Sequence, residues 1–108
     1  MKKYELLAES KVNFLGRTLY RIKALISFTV ADGYKVNEGD IGGYIERESN
    51  LSHDGDAWVY GDAWVYGNAQ VCGNAQVCGD AQVCGNAQVG GDAWVYGDAW
   101  VYGDAWVY

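Results

Sequence analysis

The chain has 108 residues, a formal net charge of -6, 50% hydrophobic residues, 15 Gly, no Pro and 3 Cys. That length allows one small domain or a domain with a short appendage. No apolar run approaches the roughly 18 residues of a membrane span, and Met1-Lys2-Lys3-Tyr4-Glu5 lacks the apolar stretch and cleavage site of a signal peptide. Abundant aromatics and apolar residues exclude a disordered chain. A cytoplasmic location, no membrane partner and reduced thiols are therefore expected.

The charge is unevenly placed. All eight Lys and Arg lie in residues 1–54, where eight acids balance them. Residues 55–108 hold six Asp, no base, all five Trp and ten of the Gly. In chain order, residues 4–8 and 18–26 read as strands, with Asn13 and Gly16 as turn residues between them. Asp32-Gly33 and Asn37-Glu38-Gly39-Asp40 read as turns. Residues 1–48 are expected to form a β-rich cap. Residues 49–54 look like a degenerate six-residue unit, with Asn50 in the turn and Leu51 inward. Gly39-Asp40-Ile41 begins a similar unit two residues out of phase.

From Gly55 the chain is a perfect hexad repeat: GDAWVY twice, GNAQVC twice, GDAQVC, GNAQVG, then GDAWVY three times. A fixed short period marks a solenoid, in which each unit buries its face by stacking on its neighbours. Gly with Asp or Asn is turn chemistry. The four residues that follow alternate small and large, so Ala and Val share one face of a strand and Trp/Gln and Tyr/Cys share the other. Gly every sixth residue and a period of six both argue against a helix.

Read from Val as V-Y-G-D-A-W, the unit resembles the hexapeptide repeat of left-handed parallel β-helices. An aliphatic residue there fills the interior, and three hexads make one triangular coil of 18 residues. The resemblance implies an all-β fold: a left-handed parallel β-helix of about three coils, 55–72, 73–90 and 91–108, within a repeat domain 49–108, under the 1–48 cap. The left hand follows from the resemblance alone; the general crossover rule favours the right hand. This chain departs from the pattern after the aliphatic residue, where it carries Tyr or Cys. The segment LYRIKAL…GDIGGYIERESNLS leading into GDAWVYG is similar to small hexapeptide-repeat proteins of bacteria and their phages.

In such a helix, residue n stacks on n+18, nine Ala and nine Val line the interior, and the large residues form outward columns. Trp58, Trp64, Trp94, Trp100 and Trp106, with Tyr60, Tyr66, Tyr96, Tyr102 and Tyr108, crowd the first and last coils around a Gln/Cys waist. Asp62, Asp80 and Asp98 form an all-acid corner. The other corners mix in Asn, as Asp56-Asn74-Asp92 and Asn68-Asn86-Asp104. Exposed Trp and Tyr are the residue types that anchor interfaces. An acidic, aromatic surface suits a basic protein partner and excludes direct nucleic-acid binding. The expected docking residues are Trp58, Trp64, Trp94, Trp100, Trp106, Tyr60, Tyr66, Asp62, Asp80 and Asp98. The aromatic coil 91–108 is expected to pair two copies through Trp94, Tyr96, Trp100, Tyr102, Trp106 and Tyr108.

No cofactor, metal or catalytic group is expected. Cys72, Cys78 and Cys84 lie six apart, which is no zinc spacing, and face different sides, which excludes an internal disulfide. The hexapeptide acyltransferases need a catalytic His; the one His here, His53, lies at the cap boundary. The expected function is a non-enzymatic protein-binding module. One form of it is a phage or mobile-element inhibitor of a host defence protein such as a nucleic-acid-guided nuclease. An acyltransferase-like enzyme and a self-assembling structural solenoid are the alternatives.

Overall fold

The computed structural model describes residues 2–14, 16–30 and 33–108. The strands before the repeat are Tyr4–Phe14 (β1), Arg17–Ala24 (β2), Phe28–Thr29 (β3), Lys35–Val36 (β4) and Ile41–Ile45 (β5), followed by a 3-10 turn, Glu48–Asn50. Each hexad then contributes one two-residue strand: Trp58–Val59 (β6), Trp64–Val65 (β7), Gln70–Val71 (β8), Gln76–Val77 (β9), Gln82–Val83 (β10), Gln88–Val89 (β11), Trp94–Val95 (β12), Trp100–Val101 (β13) and Trp106–Val107 (β14). The described residues contain no α-helix. The result is a β-solenoid of about four turns with an N-terminal β region.

The stacking follows the repeat. Trp58 pairs with Gln76 and Gln76 with Trp94, parallel and in register, and the other two sides repeat this 18-residue offset. Within each hexad three amides point toward the following coil. Asp56, Trp58 and Tyr60 donate to the carbonyls of Gly73, Ala75 and Val77, and Asn74, Gln76 and Cys78 to those of Gly91, Ala93 and Val95. A proline at any of these positions would delete a rung, which accounts for their absence. The corner glycines turn with positive φ, 77° at Gly55 and 67° at Gly79. A side chain at Gly79 would also meet the backbone of Gly97 at 3.0 Å.

Ala57 through Ala93 and Val59 through Val95 are buried. The expectation that every Ala and Val lies inside fails at the last coil. Ala99 and Ala105 are exposed, and Val101 and Val107 are partly buried, because no further coil covers them among the described residues.

The cap departs from expectation in two ways. First, β1 runs on to Phe14 and pairs antiparallel with β2, so strand replaces the short 4–8 segment. Asp32 of the expected turn lies outside the described residues, whereas Gly33 has φ 94°. Second, β5 already belongs to the solenoid. It pairs antiparallel with β2 and parallel with β7, so that one sheet runs β1-β2-β5-β7-β10-β13. Tyr44 lies beside Trp64, Ile45 beside Val65 and Leu51 beside Val71, an offset of 20 rather than 18. The units of this incomplete turn are therefore 41–46 and 47–52, and the boundary expected at 48/49 falls inside it. Leu51 is inward, as expected, but Asn50 is not at a corner: it is fully buried.

The cap closes the carbonyl edge of the first coil. Lys3 Nζ donates to Gly55 O and Ala57 O, Arg21 Nη1 to Gly61 O, and Asn50 Nδ2 to Gly67 O and Ala69 O. The main-chain amides of Tyr44, Glu46 and Ser52 take the carbonyls of Ala63, Val65 and Val71. No buried side-chain nitrogen or oxygen among the described residues lacks a hydrogen-bond partner. A sheet edge that would otherwise expose polar backbone is thus satisfied.

Candidate interaction surface

The outward residues divide by coil. Trp58 was expected on a docking face but is only 1% exposed. The cap covers it: Phe28 lies edge-on at 5.3 Å between ring centroids and Tyr4 at 6.3 Å. Tyr66, also expected outside, is buried, and the guanidinium of Arg17 lies 5.9 Å from its ring. Burial and the neighbouring Cys84 push its phenol up to about 12. Tyr60 is half-buried, with Tyr34 stacked on it at 5.2 Å, and Trp64 is half-buried. These residues are packing partners of the cap and the middle coil. The cap extends over the outward face of the first coil as well as its end, and so covers Trp58, Tyr60 and Tyr66.

The last coil differs. Trp94, Tyr96, Trp100, Tyr102, Trp106 and Tyr108 are 48–68% exposed. Within each of its hexads the Trp and Tyr rings meet at a tilt, with centroids 5.4–6.0 Å apart. The middle coil anchors neighbouring aromatics. Tyr60 donates to Gln76 Oε1 at 2.6 Å, Trp94 Nε1 to Cys78 Sγ at 3.3 Å, and Tyr108 to Gln88 Oε1 at 3.4 Å. Gly90, where the repeat would have Cys, leaves room for the Tyr108 ring; a Cβ there would meet it at 2.9 Å. Cys72, Cys78 and Cys84 are free thiols.

The corner columns also differ from one another. Asn side chains bridge two of them: Asn74 Nδ2 donates to Asp92 Oδ1 at 3.3 Å, Asn68 to Asn86 and Asn86 to Asp104, each at 3.2 Å. The all-acid column has no such rungs. Asp62 is paired instead with Arg21, Nη2 to Oδ1 at 2.8 Å. Among the described residues no salt bridge reaches Asp80 or Asp98, and no cluster of three ligating side chains suited to a metal is present.

His53 is tied into the cap. Its Nδ1 accepts the Lys3 main-chain N–H at 3.0 Å, which makes Nε2 the donor to Glu48 Oε1 at 2.9 Å, and its ring stacks on Tyr4 at 4.1 Å. Hydrogen bonds from His53 and Lys2 hold the Glu48 carboxyl below the usual glutamate range. At the next side, burial would raise the Glu46 carboxyl, but the Gly67 N–H and Arg17 outweigh it and bring it down. Burial and the nearby Glu48 charge push the Tyr4 phenol well above its ordinary range, and its hydroxyl bonds the carbonyl of Leu51. Lys3, Arg21 and Asn50, which hold the cap to the solenoid, were not singled out by the sequence; no motif marks a residue whose task is to meet stray carbonyls.

The pattern of a known repeat bears on this geometry. The YdcK β-solenoid repeat matches residues 57–73, 69–85 and 87–103. The chain is a β-solenoid repeat protein. The matched segments lie within the hexads and not in the cap, so the similarity concerns the coils whose outward residues form the surface described above. No curated protein matches the sequence. No helix among the described residues is long and apolar enough to cross a membrane.

Proposed function

We propose that the protein is a non-enzymatic docking module whose solenoid binds a basic partner protein in the cytoplasm. One observation carries this reading. Six Trp and Tyr side chains of coil 91–108 stand about half to two-thirds exposed, set between the corner residues Asp92, Asp98 and Asp104. Exposed aromatics supply anchor area at low entropic cost, and acidic corners free of bases steer a positively charged surface toward them. Enzymes that hold nucleic acid in a basic channel have such a surface. The specific form of the reading, suggested by the likeness to phage-borne hexapeptide-repeat proteins, is a mobile-element inhibitor that occludes a nucleic-acid-guided nuclease.

A second copy is a further partner of the same coil, with Trp94, Tyr96, Trp100, Tyr102, Trp106 and Tyr108, each about half to two-thirds exposed, around the joint. His53, engaged at both ring nitrogens, supports a structural role over an acyl-transfer one.

The test is calorimetric titration of the full chain against a guide-free nuclease of the host, beside the triple variant Trp94→Gln, Trp100→Gln, Trp106→Gln. Gln is what the repeat itself carries at the same hexad position in coil 73–90. Saturable binding that the variant loses supports the proposal. Equal binding by both, or turnover of an acyl donor that depends on His53, overturns it.

A further inference from the structure

The solenoid holds a cleft of about 220 Å³ lined by Asp62, Trp64, Asp80 and Gln82. Its shape becomes informative through the translation that relates one coil to the next. One level nearer the cap, the equivalent positions are Gly42, Tyr44, Asp62 and Trp64, since Tyr44 pairs with Trp64 and Trp64 with Gln82. That upper cell is filled by the guanidinium of Arg21. Arg21 Nη1 donates to Gly42 O at 2.9 Å and to Gly61 O at 3.3 Å, Nη2 pairs with Asp62 at 2.8 Å, and the group lies 4.5 Å from the centre of the Tyr44 ring. The chain thus shows in its own cap how one such cell receives an arginine.

The geometry points to the Asp62–Trp64–Asp80–Gln82 cleft as a second arginine site, filled by a side chain of a partner protein. This rests on the reading of the solenoid as a dock for a basic protein, and it names the group that is read. The ring and the carboxylate of the upper cell each have a counterpart, whereas Gly79 O, which stands where Gly61 O stands, already accepts the Asp62 N–H. Trp64 stands where Tyr44 stands, and Asp80 where Asp62 stands. Asp62 itself replaces Gly42, so the lower cell is bordered by two carboxylates, that of Asp80 and that of Asp62, the second shared with Arg21. Gln82 adds an amide whose oxygen accepts the Tyr66 hydroxyl at 3.3 Å and keeps one lone pair. A planar guanidinium can donate to both carboxylates while its face lies against an indole, whereas an ammonium offers no such face.

The corner chemistry agrees. Where Asp and Asn alternate, the Asn amide supplies the donor that an acid needs, as Asn74 does for Asp92. At Asp80 the repeat keeps an acid between two acids, and like charges stacked one coil apart repel. An external cation at Asp80 would relieve this as Arg21 does for Asp62.

The test titrates the full chain with hexa-arginine and with hexa-lysine peptides at about 0.15 M salt, comparing wild type with Asp80→Asn, Trp64→Gln and Asp92→Asn. Each substitution places at its site a residue that the repeat already uses at that hexad position, so the coils are kept. Asp80→Asn and Asp92→Asn change the net charge equally but only the first touches the cleft. The expected result is tighter binding of the arginine peptide, weakened about fivefold by Asp80→Asn and by Trp64→Gln but less than about twofold by Asp92→Asn. Equal loss in the two Asp variants, or equal binding of the two peptides, overturns the site while leaving a diffuse acidic dock intact. Binding of neither peptide overturns the site and the basic-partner reading together.

Discussion

The ammonium nitrogen of Lys3 lies 2.6 Å from the carbonyl oxygen of Ala57, a residue 54 positions later in the chain. The Lys3 side chain is buried and also meets Gly55 O at 3.2 Å. Two carbonyls of the first coil therefore depend on one side chain from the start of the cap, just before β1. Lys3→Met keeps most of the stem volume and removes the donor. Leaving both carbonyls bare is expected to lower stability by about 2 kcal/mol at neutral pH, read from urea denaturation. An unchanged midpoint would show that water replaces the ammonium there.

The same residue makes stability depend on pH. Burial brings the Lys3 pKa down from 10.5 to about 8, against the opposing pull of Asp56 and Asp54. Between those values the unfolded chain holds a proton that the folded chain has shed, so stability rises with pH across that window. Tyr4, raised above its ordinary 10, acts in the opposite sense only beyond that point. The stability of wild type relative to Lys3→Met is expected to grow by about 2 kcal/mol from about pH 7 to about pH 10. A flat difference across paired denaturation curves would contradict this.

Asn50 is a sharper case, because its amide joins two layers. Its Oδ1 accepts the N–H groups of Glu46 and Arg47, at 3.0 and 2.8 Å, while Nδ2 donates to Gly67 O and Ala69 O, at 3.2 and 2.9 Å. Asn50→Leu strands all four backbone groups and is expected to cost about 3–4 kcal/mol. Asn50→Asp keeps the shape but turns a carboxylate oxygen toward two carbonyls, and is expected to cost at least as much. Thermal melts of both variants check the order.

Two corner glycines separate local strain from stacking. Gly79 and Gly97 have nearly the same φ, 67° and 65°. A Cβ at Gly79 meets Gly97 N at 3.0 Å, whereas one at Gly97 meets nothing within 4 Å. Gly97→Ala is expected to cost about 1–2 kcal/mol for the left-handed backbone alone, and Gly79→Ala about 1 kcal/mol more. Equal costs by denaturant titration would mean that the coils part freely.

Tryptophans at the same hexad position are expected to behave oppositely. Trp58 is 1% exposed and Trp106 is 68% exposed. Trp58→Gln should cost about 3–5 kcal/mol, and Trp106→Gln less than about 1 kcal/mol. If the calorimetric melting points of the two variants coincide, the cap does not shield Trp58 in solution.

The repeat was legible because one residue type per position imposes one backbone conformation per position. Gly55 through Gly103 announced the corners, and the alternation Ala-Trp-Val-Tyr announced which face is inward. What lies before Gly55 was less legible, for a physical reason. Ile45 and Leu51 occupy the place of the interior Val, but the offset of 20 residues and the buried Asn50 erase the period while preserving the stack. Trp58 and Tyr66 misled for a related reason. Strand alternation tells which side of the wall a ring is on, but not whether another segment covers that side. Gly43-Tyr44-Ile45 repeats the small-aromatic-aliphatic order of Ala63-Trp64-Val65, but the 20-residue offset hides the match, and nothing local shows that Arg21 lies against Tyr44.

The direction of the amides also gives the solenoid an electrical axis. Three N–H groups of every hexad point away from the cap, toward carbonyls that point back at it. The Trp–Val or Gln–Val peptide of each hexad points the other way, as its ladder bond to the neighbouring coil requires, so the dipoles cancel in part and leave a small surplus of carbonyl oxygens facing the cap. Lys3 and Arg21 meet those oxygens, in the manner of basic residues closing a helix C-terminus. Two of the eight bases of the first half are thus spent on the carbonyl face of the coils, where an acid would be repelled.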